Sequence, residues 1–341
     1  MSDLSFAFLL FIGCTAASAI LTRLVLSLLE RRAILDHPNE RSSHARPTPR
    51  GGGIAVVIVL IAAWILIAWE EGPISGLAYW PVIAGIAALA LLSWIDDLRG
   101  LSAGLRVGCH AIIVIIALAS FPADALVFQG VLPLWADRVA SALLWIWFIN
   151  LFNFMDGIDG ISGVEAVAIG GGLCLVTLAA GGVPGLYGVL GLLLAGAAAG
   201  FLVWNWHPAR LFLGDVGSVP LGFALGWLLL QASTAGWWAA ALILPLYYLA
   251  DATVTLTRRA ARGEKVWQAH REHFYQQAVA RGLSHAAVAG AVAVIDLALI
   301  AAAMASVGAS ASLRAALLLL AAVLVGGFLA WLGGAFVRRA N

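Results

Sequence analysis

Charge is scarce in this chain. Only 11% of its 341 residues are Asp, Glu, Lys or Arg, whereas 62% are hydrophobic. Soluble globular domains carry about 25% charged residues, so a soluble fold is excluded. Surplus charge of one sign is missing as well: the net charge is +1, which offers no basic face for nucleic acid. Cysteine occurs three times, as Cys14, Cys109 and Cys174, always inside an apolar run and without metal-ligand spacing. Those residues read as small apolar packing groups. The strict alternation of a membrane β-barrel strand is absent, because the apolar runs are continuous. There is no H-E-x-x-H, so a zinc protease is not supported. The N-terminus has neither a basic leader region nor a small-residue cleavage site, and its first apolar run reads as a retained span. Internal repeats and low-complexity tails are also lacking. Glycine-rich patches such as Gly170-Gly171-Gly172 fall within apolar runs, where small residues let helices approach closely.

What the chain does have is a series of runs long enough to cross a bilayer, which takes roughly 20 mostly apolar residues. Eleven spans are expected, at about 4–29, 53–69, 79–95, 107–121, 138–155, 161–181, 185–204, 216–233, 237–255, 287–308 and 314–337. The expected fold is an all-α polytopic membrane protein, with residues 1–341 forming a single integral membrane domain. Its motif-bearing loops lie at about 30–52, 96–106, 156–160, 205–215 and 256–286. The breaks after odd-numbered spans hold Arg31, Arg32, Arg41, Arg46, Arg50, Arg99, Arg106, Arg210, Arg258, Arg259, Arg262, Lys265, Arg271 and Arg281. The opposite breaks hold only Arg138 and Arg314, together with Glu70, Glu71, Asp124 and Asp137. This bias places the odd breaks in the cytoplasm, the N-terminus in the periplasm and the C-terminus in the cytoplasm.

Polar residues cluster at the ends of the odd spans. The break from Asp36 to Gly53 contains Pro38, Pro47 and Pro49, which hold it extended, and glycines that let it turn into the second span. It reads as a basic loop beside an anionic group, or as an ordinary positive-inside loop. Asp96-Asp97 closes span three, and Arg106 opens span four, within reach as a phosphate clamp. Two adjacent carboxylates suit a divalent metal, or a base whose affinity for protons is raised by its neighbour. They also occur as a solvated helix end.

Next comes Asn150-Leu-Phe-Asn153-Phe-Met-Asp156-Gly-Ile-Asp159-Gly160. On a continuous helix Asn150, Asn153 and Asp156 share one face, and the glycines let the chain break so that Asp159 turns back beneath it. Carboxylate and carboxamide oxygens are what Mg²⁺ takes, with substrate phosphates and water. Asp215 lies between Gly214 and Gly217 at the mouth of span eight and is a further candidate ligand; Phe212 suits stacking on a base or an interfacial position. Last, His270-Arg271-Glu272-His273 places cationic donors where a pyrophosphate needs charge neutralisation, or forms a solvated helix face.

Taken in order, these motifs resemble the polyprenyl-phosphate N-acetylhexosamine-1-phosphate transferases. That family includes bacterial enzymes that start O-antigen, enterobacterial common antigen and teichoic-acid linkage units, and the one that makes the first lipid intermediate of peptidoglycan. The matching pieces are Pro38-Asn39-Glu40-Arg41-Ser42-Ser43-His44, Pro47-Thr48-Pro49-Arg50-Gly51-Gly52, Asp96-Asp97, Asn150 to Gly160, and Phe212 to Ser218. The resemblance implies transfer of a sugar-1-phosphate from a UDP-N-acetylhexosamine to undecaprenyl phosphate at the cytoplasmic face of the inner membrane, giving a lipid pyrophosphate and UMP. It implies Mg²⁺, with Mn²⁺ as a substitute, held by Asn153 and Asp215 with Asp156 beside them. Asp159 would contact the uracil and Phe212 would stack on it. Asp96 or Asp97 would deprotonate or position the lipid phosphate, and Arg106 would bind phosphate. Direct attack and an aspartyl-phosphate intermediate both fit these residues. Membrane lipid is an implied partner, nucleic acid is not, and a homodimer is compatible.

One motif departs from the family pattern. Where common bacterial members carry HxHH, this chain has His273-Phe274-Tyr275-Gln276 preceded by His270-Arg271-Glu272. This is more similar to the branch that starts O-antigen with deoxygenated sugars such as N-acetylfucosamine or N-acetylquinovosamine. His270, Arg271 and His273 are the implied sugar-side contacts. A cation-coupled transporter is the main rival, but transporters bind near the bilayer midplane through broken helices, whereas these acids lie at span ends. A CDP-alcohol phosphotransferase would need an Asp-Gly-x-x-Ala-Arg signature, which Asp156-Gly157-Ile158-Asp159 does not supply. A membrane scaffold gives no reason for acidic clusters on one side.

Overall fold

The computed structural model describes residues 4–36, 47–70, 79–182, 185–266, 268 and 270–335. Pro38–His44 of the first motif therefore lie outside the described residues, as do Arg338 and Arg339. The protein is a bundle of helices: α1 (Leu4–Arg31), α2 (Gly53–Glu70), α3 (Trp80–Arg99), α4 (Ala103–Leu118), α5 (Leu134–Phe154), α6 (Ile161–Gly181), α7 (Leu186–Asn205) and α8 (Asp215–Ala232). A π turn (Ser233–Trp237) then leads into α9 (Trp238–Ile243), α10 (Leu246–Ala261), the short α11 (Phe274–Ala280), α12 (His285–Ser306) and α13 (Ala311–Leu332). The only sheet among the described residues is the antiparallel pair β1 (Leu35–Asp36) and β2 (Thr48–Pro49). Nine helical stretches among the described residues are long and apolar enough to cross a membrane, and α4 is a shorter apolar helix. This is a multi-pass, all-α membrane protein.

The expected ninth span departs from a single helix. The chain passes from α8 through the π turn, where Gly236 takes φ +87°, and breaks again at Leu244-Pro245 before α10. Pro245 has no N–H to continue the helix and its ring clashes with the preceding turn, so a continuous 237–255 helix does not form. The 256–286 break also contains α11, which its short polar sequence did not announce.

Helix α8 is the centre of the bundle. Every residue from Val216 to Ala232 is buried, and α2, α3, α5, α6 and α7 all pack against it. Trp145 of α5 stacks on Phe223 of α8 at 4.6 Å and donates its indole N–H to the Phe223 carbonyl at 2.8 Å. A buried indole needs such a partner, and the bond fixes the rotation of α5 on α8. At the opposite end of α5, buried Asp137 accepts from the Val127 and Phe128 amides, which ties the α4–α5 connection to the start of α5.

The mouth of α8 is set by an unusually close backbone contact. Gly51 and Gly52 donate their amides to the Phe212 carbonyl, and Gly53 donates to the Leu213 carbonyl. A Cβ on Gly53 would lie 2.2 Å from the Gly217 Cα, and one on Gly217 would lie 2.6 Å from the Gly53 Cα. Backbone cannot yield as a flexible side chain can, so both positions require glycine. Gly53→Ala or Gly217→Ala is expected to lower the thermal midpoint of the detergent-purified protein by several degrees, consistent with overpacking costs of about 1–3 kcal/mol. Gly290→Ala, where nothing lies within 4 Å of the new methyl, is expected to leave it unchanged or raise it.

Candidate active site

The glycine contact brings Arg50 to the first turn of α8. Its guanidinium NH2 lies 2.6 Å from Asp215 and 3.3 Å from Asp97, so one donor nitrogen joins three segments. Asp97 comes from the last turn of α3, which Gly100 closes in the left-handed conformation (φ +68°) that favours glycine at a helix end. The neighbouring Asp96 has both oxygens committed. One accepts from the Leu101 amide at 2.6 Å and the other from Arg106 at 2.9 Å. Arg106 also lies 3.9 Å from Asp215. Asn153, in the last turn of α5, accepts from the Ser218 hydroxyl at 2.6 Å. Together Asp96, Arg106, Asn150, Asn153 and Asp215 line a cavity of about 80 Å³, closed by Leu92, Val107, Phe154 and Val219.

Asp156 falls outside the helix that would have aligned it with Asn150 and Asn153. Helix α5 ends at Phe154, and Asp156 sits half-buried in the following turn. Burial pushes its carboxyl up to about 7, against the lowering effect of a hydrogen bond from Ser162. Asp215 adds to the upward shift.

Asp159 lies one turn further on and is buried. One oxygen, Oδ2, meets His207 Nδ1 at 2.6 Å, His285 Nδ1 at 3.3 Å and the Ala209 amide at 3.1 Å. Burial alone would raise this carboxyl, but its contacts with His285 and His207 and the hydrogen bond from the Ala209 amide hold it below the usual carboxylate range, while the Asp159 amide donates to His285 Nδ1. Asp159, His207 and His285 offer atoms within 4.8 Å of one another, as metal ligands do. The 2.6 Å separation is a hydrogen-bond length, and the three side chains form a hydrogen-bonded brace. Asn205 completes it by accepting from the Gly160 amide and donating to the Leu211 carbonyl. Phe212 sits on this turn, half-buried, with its backbone stitched to Pro49, Gly51 and Gly52.

The His270–His273 segment docks differently from the rest. Asp251 of α10 is buried and accepts from His273 Nδ1 at 3.1 Å, the Phe274 amide at 3.1 Å and the Tyr275 amide at 3.3 Å. His273 is thus turned to α10 as the cap of α11. Tyr275 donates to the Phe154 carbonyl at 3.1 Å, which draws α11 against the end of α5. His270 packs on His273 with ring centroids 4.8 Å apart, and burial holds its imidazole down to about 4. Arg271 is exposed.

The structure therefore brings Asp96, Asp97, Arg106, Asn153 and Asp215 together, places Asp156 and Asp159 on the adjoining turn, and moors His270 and His273 to α10. It also adds Arg50, His207, His285, Asn205, Ser218 and Asp251, which the motifs alone did not single out as site residues. Arg50 was visible in the Pro-Arg-Gly-Gly motif. Ser218 closes the Phe212–Ser218 motif, and Asn205 and His207 lie in the 205–215 loop, but their partners, like those of His285 and Asp251, are set by contacts between distant segments.

The family model described as glycosyl transferase family 4 matches residues 79–233. That interval runs from the start of α3 to the end of α8 and contains most of the cavity. The chain is 25% identical over 279 residues to a probable undecaprenyl-phosphate N-acetylglucosaminyl 1-phosphate transferase of Bacillus subtilis, covering 78% of this chain and 75% of that protein. The decaprenyl-phosphate N-acetylglucosaminephosphotransferase of Mycolicibacterium smegmatis is 30% identical over 236 residues, and its Mycobacterium tuberculosis counterpart 28% over 233. This chain covers 63% of its own length and 58% of theirs in those two matches. In these matches the chain is similar to the polyprenyl-phosphate N-acetylhexosamine-1-phosphate transferases. The matched interval includes Asp96, Asp97, Asp156, Asp159 and Asp215 together with Asn153, so these five acids and the carboxamide lie within the shared region.

Asp156 carries a pH signature. A carboxyl whose folded value is about 7, above an ordinary 3.8, binds its proton more tightly in the folded state. Its contribution to stability is complete below about pH 4 and is lost as pH rises through 7. In chelator-treated protein the thermal midpoint is expected to fall between pH 5 and pH 8, and Asp156→Asn should flatten that fall.

Proposed function

We propose that this transferase moves N-acetylhexosamine-1-phosphate from a UDP-sugar to undecaprenyl phosphate, as the initiating step of O-antigen or another cell-envelope polysaccharide. The observation that carries the reading is the convergence of Asn153, Asp215 and Arg106 on one cavity at the helix ends, with Arg50 bridging Asp215 to Asp97. The relatives, named as N-acetylglucosamine phosphotransferases acting on undecaprenyl or decaprenyl phosphate, support it. The Lys and Arg bias of the odd breaks supports a cytoplasmic-facing site in the inner membrane.

In the proposed reaction an oxygen of the lipid phosphate bonds to the sugar-bearing phosphorus, and the bond from that phosphorus to the UMP oxygen breaks. Both reactants are anions, so charge neutralisation and positioning supply most of the rate enhancement. Asp97 is the acidic neighbour with freedom to hold or deprotonate the lipid phosphate, since both oxygens of Asp96 are committed. Arg106 and Arg50 offer positive charge to the phosphates. The oxygen-only donor set of Asp215 and Asn153, with Asp97 close by, fits Mg²⁺ or Mn²⁺, and the sharing of one guanidinium nitrogen by Asp97 and Asp215 indicates that the pair favours a cation. When bound, such an ion would neutralise diphosphate oxygens.

Asp159 is assigned the uracil through the oxygen that its histidine brace leaves free, with Phe212 stacking on the base. His270 and Arg271 are assigned the sugar side, and His273 shapes the loop from behind. The sugar is read as an N-acetylhexosamine of the deoxygenated type. Asp215→Asn is expected to lower metal-dependent UMP release from UDP-N-acetylhexosamines by roughly 100-fold or more, while the purified protein keeps its thermal midpoint within a few degrees. Near-normal turnover would refute the assignment. A donor panel with undecaprenyl phosphate identifies the sugar, and metal-dependent ion flux without UMP release would favour a transporter.

A further inference from the structure

Among the polar residues that line the cavity, His110 has no role in the reading above. His110 lies on α4 one turn beyond Arg106, at the i+4 position that shares its face. It is 5% exposed and lines the cavity with Asp96, Arg106, Asn150, Asn153 and Asp215. The neighbouring groups are already engaged: Arg106 holds Asp96, Asn150 donates to the Ile146 carbonyl, and Asn153 accepts from Ser218. Among the described residues His110 makes no hydrogen bond, and its Nδ1 is sealed from solvent without a partner.

That burial fixes the useful end of the ring. A neutral imidazole carries one N–H and one lone pair. An orphaned buried N–H is rarer in proteins than an under-satisfied acceptor, so the proton is placed on Nε2, the ring nitrogen not sealed in the packing. A wall that presents a single uncommitted N–H beside an arginine is suited to an anionic oxygen. Leaving such a group unpaired is unfavourable, and a bound acceptor removes that penalty.

We propose that His110 donates from Nε2 to a phosphate oxygen of the substrate held in this cavity, giving direction to a contact for which Arg106 supplies the charge. The proposal rests on the transferase reading and adds a substrate-binding residue to it. The shared chemistry is a non-bridging phosphate oxygen, from either the lipid phosphate or the UDP-sugar.

The test uses the purified full-length protein with UDP-N-acetylhexosamine and undecaprenyl phosphate. His110→Leu is expected to lower kcat/KM by roughly 10- to 100-fold, the size of one hydrogen bond to a charged group. His110→Gln, which retains an N–H donor, is expected to recover most of that loss. The thermal midpoint of the Leu variant should equal or exceed that of the parent, because an orphaned nitrogen has been removed; a purely structural role would lower it. A raised KM confined to the lipid assigns the contact to the acceptor, and one confined to the nucleotide assigns it to the donor. Unchanged kinetics in His110→Leu, or a Gln variant no better than Leu, would overturn the proposal. If the parent protein transfers nothing, the transferase reading fails instead, and calorimetric binding of inorganic pyrophosphate to parent and His110→Leu still decides the contact: equal affinity rejects it and weaker binding by the variant supports it.

Discussion

A single guanidinium shared between carboxylates from two helices holds the cavity end of this bundle together. Arg50 reaches Asp97 at the end of α3 and Asp215 at the start of α8, and it can do so only because the backbone on either side of it runs flush against the 212–217 turn. Opposite charges at half-buried positions favour the assembled state, but the pair alone does not choose the geometry. The Gly53–Gly217 contact makes that choice, since it leaves no room for a side chain between α2 and α8. The electrostatic site is therefore a consequence of close packing between two helix mouths.

The same logic separates what the sequence made legible from what it did not. Spans were readable because length and apolarity are local properties, and the alternation of basic and acidic breaks gave their parity. The structure brings the breaks after odd-numbered spans together through Arg50 and Phe212, Arg106 and Asp96, His207 and Asp159, and Tyr275 and Phe154. Pro245 was visible, yet its effect on the ninth span was not foreseen, because an isolated proline within an apolar run is often tolerated as a kink in membrane helices. The acids and amides were readable as a set because such groups are costly at a membrane boundary. Their bracing was not. His207 and His285 look unremarkable in sequence and acquire meaning only where both meet the Asp159 carboxylate. His110, inside an apolar helix, reads as core until the cavity appears beside it.

Two electrostatic environments adjoin at this end of the bundle. Asp159 is surrounded by polar partners that favour its ionised form, while half-buried Asp156, three residues earlier, is desolvated with less compensation and holds its proton more firmly. Only Gly157 and Ile158 separate them, and Gly160 at φ +81° follows. Neighbouring carboxyls can thus occupy different protonation states near neutral pH, which a uniform cluster of acids cannot do.

The mooring of the 270–280 segment has an evolutionary corollary. Its attachment uses one interior carboxylate, two main-chain amides and a tyrosine hydroxyl bound to a carbonyl, none of which depends on the identity of outward-facing side chains such as Arg271. Drift at those outward positions leaves the anchor intact. A lineage can therefore vary this rim without refolding the scaffold beneath it.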